Sequence, residues 1–234
     1  MAKHLLGVLG GMGPAATVDF LQKVIQHTQA GSDQQHIPML VASMPDIPDR
    51  SASILRGGPS PLPALLERLA LLEKAGATCV VIPCNTAHFW FEQLKAVTSM
   101  EMIQLIDVVA DQALEKGFSK VGLLSTDATI ATNLYQNALE KRGIECVLPN
   151  ESLQKEMMEG IYLYKAGELS KAQKSFQEPY CYLQHLQVNA IILGCTEIPI
   201  ILANEITQKK AYFLDSNDIL AQVVVEWHKQ KTKL

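Results

Sequence analysis

Two cysteines stand where a buried run gives way to polar residues. One lies in "VVIPCNTAHFW" (Val80 to Trp90), the other in "IILGCTEIP" (Ile191 to Pro199). In an open α/β sheet, ligands bind beyond the carboxyl ends of the strands, and both thiols are expected there. Asn85 and Thr86 follow Cys84, and Thr196 follows Cys195. These side chains can donate to an anion, and a helix N-terminus just beyond would favour a thiolate. Two facing thiols suit one reaction in particular. A carbon acid between them loses its proton to one and takes a proton from the other, so the centre inverts. Either cysteine alone reads as a buried hydrophobe; a matched pair reads as chemistry. Cys79, Cys146 and Cys181 lack the same setting. Five cysteines with no close pairing argue against a disulfide framework and against a zinc ribbon.

Placing these thiols requires strands that alternate with helices. The expected strands are "HLLGVLG" (4–10), "PMLVASMP", "TCVVIP", a weaker "EMIQLID", "KVGLLST", "IECVLP", "NAIILG" and "AYFLD". Pro14 opens the first helix, and Leu62, Leu65, Leu66, Leu69 and Leu72 line another that stops near Gly76. One helix is expected to run through Ile130, Leu134 and Ala138 to Gly143. Another starts near Ser152, with a loop-like Lys165 to Gly167. The last is capped by Asn217. This alternation predicts an α/β fold with parallel sheets.

The halves correspond, at offsets of 115 (122 − 7), 111 (195 − 84) and 108 (215 − 107) residues. The matched segments are Gly7-Val8-Leu9 with Gly122-Leu123-Leu124, Cys84 with Cys195, and Leu105-Ile106-Asp107 with Phe213-Leu214-Asp215. Two similar lobes related by pseudo-twofold symmetry follow, with the site in the cleft between them. The expected division is 1–105 plus 216–234 for the first lobe and 106–215 for the second. The final helix then packs back on the first lobe.

The chain of 234 residues carries a formal net charge of −4 and is 48% hydrophobic. No basic run points to nucleic acid or an anionic membrane. No apolar stretch reaches spanning length, and the N-terminus does not read as a signal peptide, so the cytoplasm is expected. "GMGPAA" (Gly11 to Ala16) fits a dinucleotide fingerprint, but the acidic residue at the required distance, Asp33, sits in a polar turn. The glycines are read instead as a tight loop that lets the backbone approach a substrate. His88, four residues after Cys84, is assigned a structural hydrogen bond. The six histidines show no zinc spacing.

With "GGMGPAAT", "IPDR", "PCNTAH", "GLLST", "IYLYKAG", "GCTEIP" and "LDS" in order along the chain, the sequence resembles the aspartate/glutamate racemase family, aspartate racemases most of all. The resemblance implies a cofactor-independent, metal-free racemase that acts on a small dicarboxylic amino acid, as a homodimer. It assigns Cys84 and Cys195 the proton transfers, and Arg50 and Lys165 the substrate carboxylates. Arginine suits this role because its planar fork grips a carboxylate bidentately. Asn85, Thr86 and Ala87 would donate to the α-carboxylate. Thr126, Thr196 and Glu197 would line the other side, with Glu197 taking the ammonium. Glutamate racemases typically carry histidine at the position of Glu197, which favours aspartate. Glutamate or broad-specificity racemases remain alternatives. So do a maleate-isomerase-like enzyme, in which one thiolate adds to an alkene, and a two-lobed small-anion binding protein.

Overall fold

The computed structural model describes residues 4–232; the outermost ends of the expected first lobe, 1–3 and 233–234, lie outside the described residues. Two compact units emerge. One comprises the chain up to Val108 together with the residues from Asn217 onward; the other is Val109–Ser216.

The first unit is built on four parallel strands, β1 (Leu6–Gly10), β2 (Met39–Ser43), β3 (Cys79–Val81) and β4 (Glu101–Met102), in the order β2-β1-β3-β4. β1 is central and wholly buried, as its unbroken apolar run requires. Helix α1 (Pro14–His27) starts at its proline and buries Ala16, Phe20 and Val24 at fourth-residue spacing. The short α2 (Arg50–Arg56) is capped by Asp49, whose carboxylate accepts from the Ala52 N–H at 2.6 Å. Helix α3 (Leu62–Lys74) buries Leu65, Leu69 and Leu72. A 3-10 turn (Thr86–Trp90) leads into α4 (Phe91–Lys95).

The second unit repeats the plan with β5 (Lys120–Ser125), β6 (Glu145–Val147), β7 (Ala190–Gly194) and β8 (Phe213–Asp215), in the order β6-β5-β7-β8. Between its strands run α6 (Asp127–Ala131), α7 (Leu134–Glu140), α8 (Glu151–Lys165), α9 (Leu169–His185), α10 (Ile198–Ile201) and α11 (Ala203–Gln208). Two further helices cross the division. α5 (Leu105–Glu115) begins in the first unit and ends in the second; α12 (Ser216–Thr232) begins at the last residue of the second and continues in the first.

Four sequence expectations are corrected. "EMIQLID" is a strand only at Glu101–Met102, and Leu105 already opens α5. Leu105–Asp107 is therefore not the counterpart of β8. Val80 pairs with Met102 and Ile191 with Phe213, which gives an offset of 111 (213 − 102), the same as that of the two cysteines. The helix through Ile130 breaks into α6 and α7 at Asn133, which takes φ 54°, a left-handed conformation that asparagine tolerates better than most residues. Lys165 is not in a loop but in the last turn of α8; the chain turns at Gly167, φ 86°. Asn217 is inside α12 rather than capping it, and its amide donates to Ala16 O and Asp19 Oδ2 at 3.1 and 2.9 Å.

Among the described residues no helix is long and apolar enough to cross a membrane.

Candidate active site

Strand order reverses direction around β1 and again around β5, so in each unit the loops after the two central strands meet at a switch point. In the first unit these are the glycine loop after β1 and the segment carrying Cys84 after β3. A side chain on Gly11, which adopts φ 88°, would lie 2.5 Å from the Met44 backbone, and one on Gly10 would strike Thr17. Gly10 and Gly11 thus permit close approach of protein to protein within this loop. Thr17 Oγ1 fastens the loop, accepting from Gly11 N–H at 2.9 Å and donating to Gly13 O at 3.0 Å.

Cys84 is 6% exposed and shares an apolar cluster with Met12, Ile47 and Ala87. Its carbonyl is gripped by His88. Leu105 N–H donates to His88 Nε2 at 3.2 Å, so the ring proton lies on Nδ1 and is donated to Cys84 O at 2.9 Å. Burial lowers the His88 pKa to about 4, so the ring is neutral and structural. Asn85, Thr86 and Ala87 are buried beside it. The helix that Arg50 opens packs against this turn. Arg50 Nη1 donates to Ile47 O and Pro48 O, both at 3.1 Å, which ties one prong of its fork to the backbone.

In the second unit, Thr126 ends the segment after β5 and caps α6 through its hydroxyl, which accepts from Thr129 N–H at 3.2 Å. Cys195 follows β7 directly and is 5% exposed. Its Sγ donates to Glu197 Oε2 at 2.9 Å. Thr196 Oγ1 donates to the same oxygen at 3.4 Å, and Lys165 Nζ lies 3.7 Å from Glu197 Oε1. The structure thus gathers Lys165, Cys195, Thr196 and Glu197 into one cluster.

Burial, and after it the Glu197 carboxylate, push the Cys195 thiol well above its ordinary pKa, while Lys165 opposes them. The expectation that a following helix N-terminus makes Cys195 a thiolate is therefore corrected. α10 has only one turn, and a carboxylate stands nearer. Sequence reasoning missed this contact, and it missed Tyr135. That phenol is fully buried, hydrogen-bonded to Ser216, and held protonated first by burial and then by Asp215.

The remaining cysteines are set apart. Burial drives Cys79 and Cys146 to about 12, and Cys181 is exposed. Trp90 and Trp227 are buried, and Trp227 Nε1 donates to Glu101 Oε2 at 3.2 Å.

Residues 9–224 match the Asp/Glu/Hydantoin racemase family. The chain belongs to that family. It is an amino-acid racemase, and so an isomerase. The Picrophilus torridus aspartate racemase has a similar structure, with TM-score 0.84 and 31% identity, over 95% of this chain and 93% of that one. The broad-specificity amino-acid racemase RacX of Bacillus subtilis is 28% identical over 94% of this chain and 96% of its own length. The glutamate racemase of Aquifex aeolicus is 30% identical over 56% of this chain and half of its own. The fold of two α/β units with parallel four-stranded sheets is that of racemases.

Proposed function

We propose that this racemase interconverts L- and D-aspartate without a cofactor, with Cys84 and Cys195 exchanging protons with opposite faces of the α-carbon. The observation that carries the reading is the shared offset. The pairing of β3 with β4 and of β7 with β8 repeats at 111 residues, as do the two thiols, which supports a matched role for the two cysteines. The similarity to an aspartate racemase over nearly the whole chain supports the choice of substrate.

An α-proton is removed only if the charge that develops on the neighbouring carboxylate is stabilised by preorganised donors. Arg50 and Lys165 supply cations for the two carboxylates. Asn85, Thr86, Ala87, Thr126 and Thr196 supply the neutral lining. The division into functional lobes and the assembly as a cytoplasmic homodimer belong to the same proposal.

Incubation of a panel of amino acids in deuterated water, without pyridoxal phosphate, followed by chiral chromatography, tests the substrate. Aspartate should invert fastest, with deuterium entering at the α-carbon. Equal turnover of several amino acids would favour the broad-specificity reading that RacX suggests. Cys84→Ala and Cys195→Ala should each reduce racemisation by at least about a thousandfold, the loss of a positioned acid or base. Near-normal activity in either variant would exclude two-base transfer.

A further inference from the structure

We propose that Gln154 is a positioning residue for the reaction: it sets the register of α8 on the end of β5, and so holds Lys165 and Thr126 in the arrangement that the substrate meets. The inference rests on the reading above, which gives those two residues to the substrate.

Gln154, Met158, Ile161 and Lys165 follow one another at spacings of four, three and four residues, so they share one face of α8. The ends of this stripe are eleven residues apart (165 − 154), which is three turns and about 16 Å of helix. Each member meets a different part of the second unit. In the first turn, Gln154 Nε2 donates to Ser125 O at 3.0 Å and to Asp127 Oδ1 at 2.6 Å. These two acceptors bracket Thr126. One turn on, Met158 Sδ accepts from the Asp127 N–H at 3.3 Å. Ile161 is buried in the core that also takes in Leu124 and Leu193. Lys165 closes the stripe, 3.7 Å from Glu197 Oε1.

Ser125 extends the tie. Its hydroxyl donates at 2.9 Å to Gly194 O, on the residue before Cys195. One amide on α8 thus fastens the strand end that leads to Thr126, and that strand end is fastened to the one that leads to Cys195.

The pose of the amide shows what it is kept for. Gln154 Oε1 is buried without a hydrogen-bond partner, an unfavourable state for an acceptor. The reverse orientation would set Oε1 against the Ser125 carbonyl and the Asp127 carboxylate, acceptor against acceptor. An apolar side chain would fill the same place without the penalty. Apolar packing has no direction, however, and does not by itself stop a helix from sliding on its core. The two N–H bonds supply that stop.

Steady-state racemisation of aspartate by the full chain, at a temperature where circular dichroism shows every variant folded, tests the role. Gln154→Leu should lower kcat/KM at least about tenfold, since a displacement of about 1 Å costs on the order of a hundredfold. Gln154→Glu, nearly isosteric, sets a carboxylate against Asp127 and should do the same; it carries the test if the leucine variant fails to fold. Adding Asp127→Asn to Gln154→Glu lets the new amide donate back across the pair. Part of the loss should be recovered, and part only, because Ser125 O gains no donor. A residue that serves stability alone would lower the melting temperature and leave the kinetics of the folded enzyme unchanged. Normal kcat/KM in the Gln154 variants, or no recovery in the swapped pair, overturns the proposal. Lys165→Ala and Thr126→Val in the same assay separate it from the reading beneath. If these two impair turnover and the Gln154 variants do not, the positioning role alone falls. If they leave aspartate kinetics normal, those residues do not meet the substrate, and the proposal falls with that reading.

Discussion

His88 joins Cys84 to the start of α5, and its neutrality has a measurable cost in acid. Its pKa falls from 6.5 to about 4 on burial, so the unfolded chain binds this proton more readily than the folded one. The contribution is complete above pH 6.5 and is lost as pH falls towards 4. In magnitude it is on the order of 3 kcal/mol at the limit. Denaturant unfolding at a series of pH values should show that slope in wild type, and His88→Gln should lack it. At this scale much was legible from sequence, since a hydrophobic run that stops at a cysteine and continues in amides and hydroxyls marks a strand end. The partner of Cys195 was not. Lys165 and Glu197 lie far apart in the chain, and only the shared core of the second unit brings them to 3.7 Å.

Helix α8 carries Lys165 at its end, and its position depends on a close fit to α9. A Cβ on Gly160 would lie 2.8 Å from Phe176 Cε2, and that ring is fully buried with no room to yield. Gly160→Ala should destabilise the protein by a net 1–2 kcal/mol or so, since overpacking outweighs the gain in helix propensity. If Lys165 holds a substrate carboxylate as proposed, the same shift should raise KM for aspartate, since Lys165 moves with the helix. Chemical denaturation and steady-state kinetics check both effects. Elements with strong periodicity, such as α1 and α3, could be read directly. The extent of β4 could not, because two residues carry no pattern, and neither could the break at Asn133, where one left-handed residue interrupts a continuous apolar stripe.

For the whole molecule, the repeat was visible in the sequence as three offsets of 115, 111 and 108, and strand pairing revises the last to 111. What sequence does not reveal is that α5 leaves one unit for the other, since the apolar start of the helix reads as strand. That α12 from Asn217 onward belongs to the first unit governs the order in which the units can fold during synthesis. The second unit is contiguous and all of it has left the ribosome once Ser216 emerges, whereas the first must wait for the residues from Asn217 onward. The half synthesised first is thus finished last, and its apolar strands stay exposed through most of translation. Nascent chains arrested with Ser216 just outside the exit tunnel should protect 109–216 from protease while 4–108 is still cut. Arrest after Thr232 emerges should protect both. Early protection of the amino-terminal half would show that it closes without its last helix.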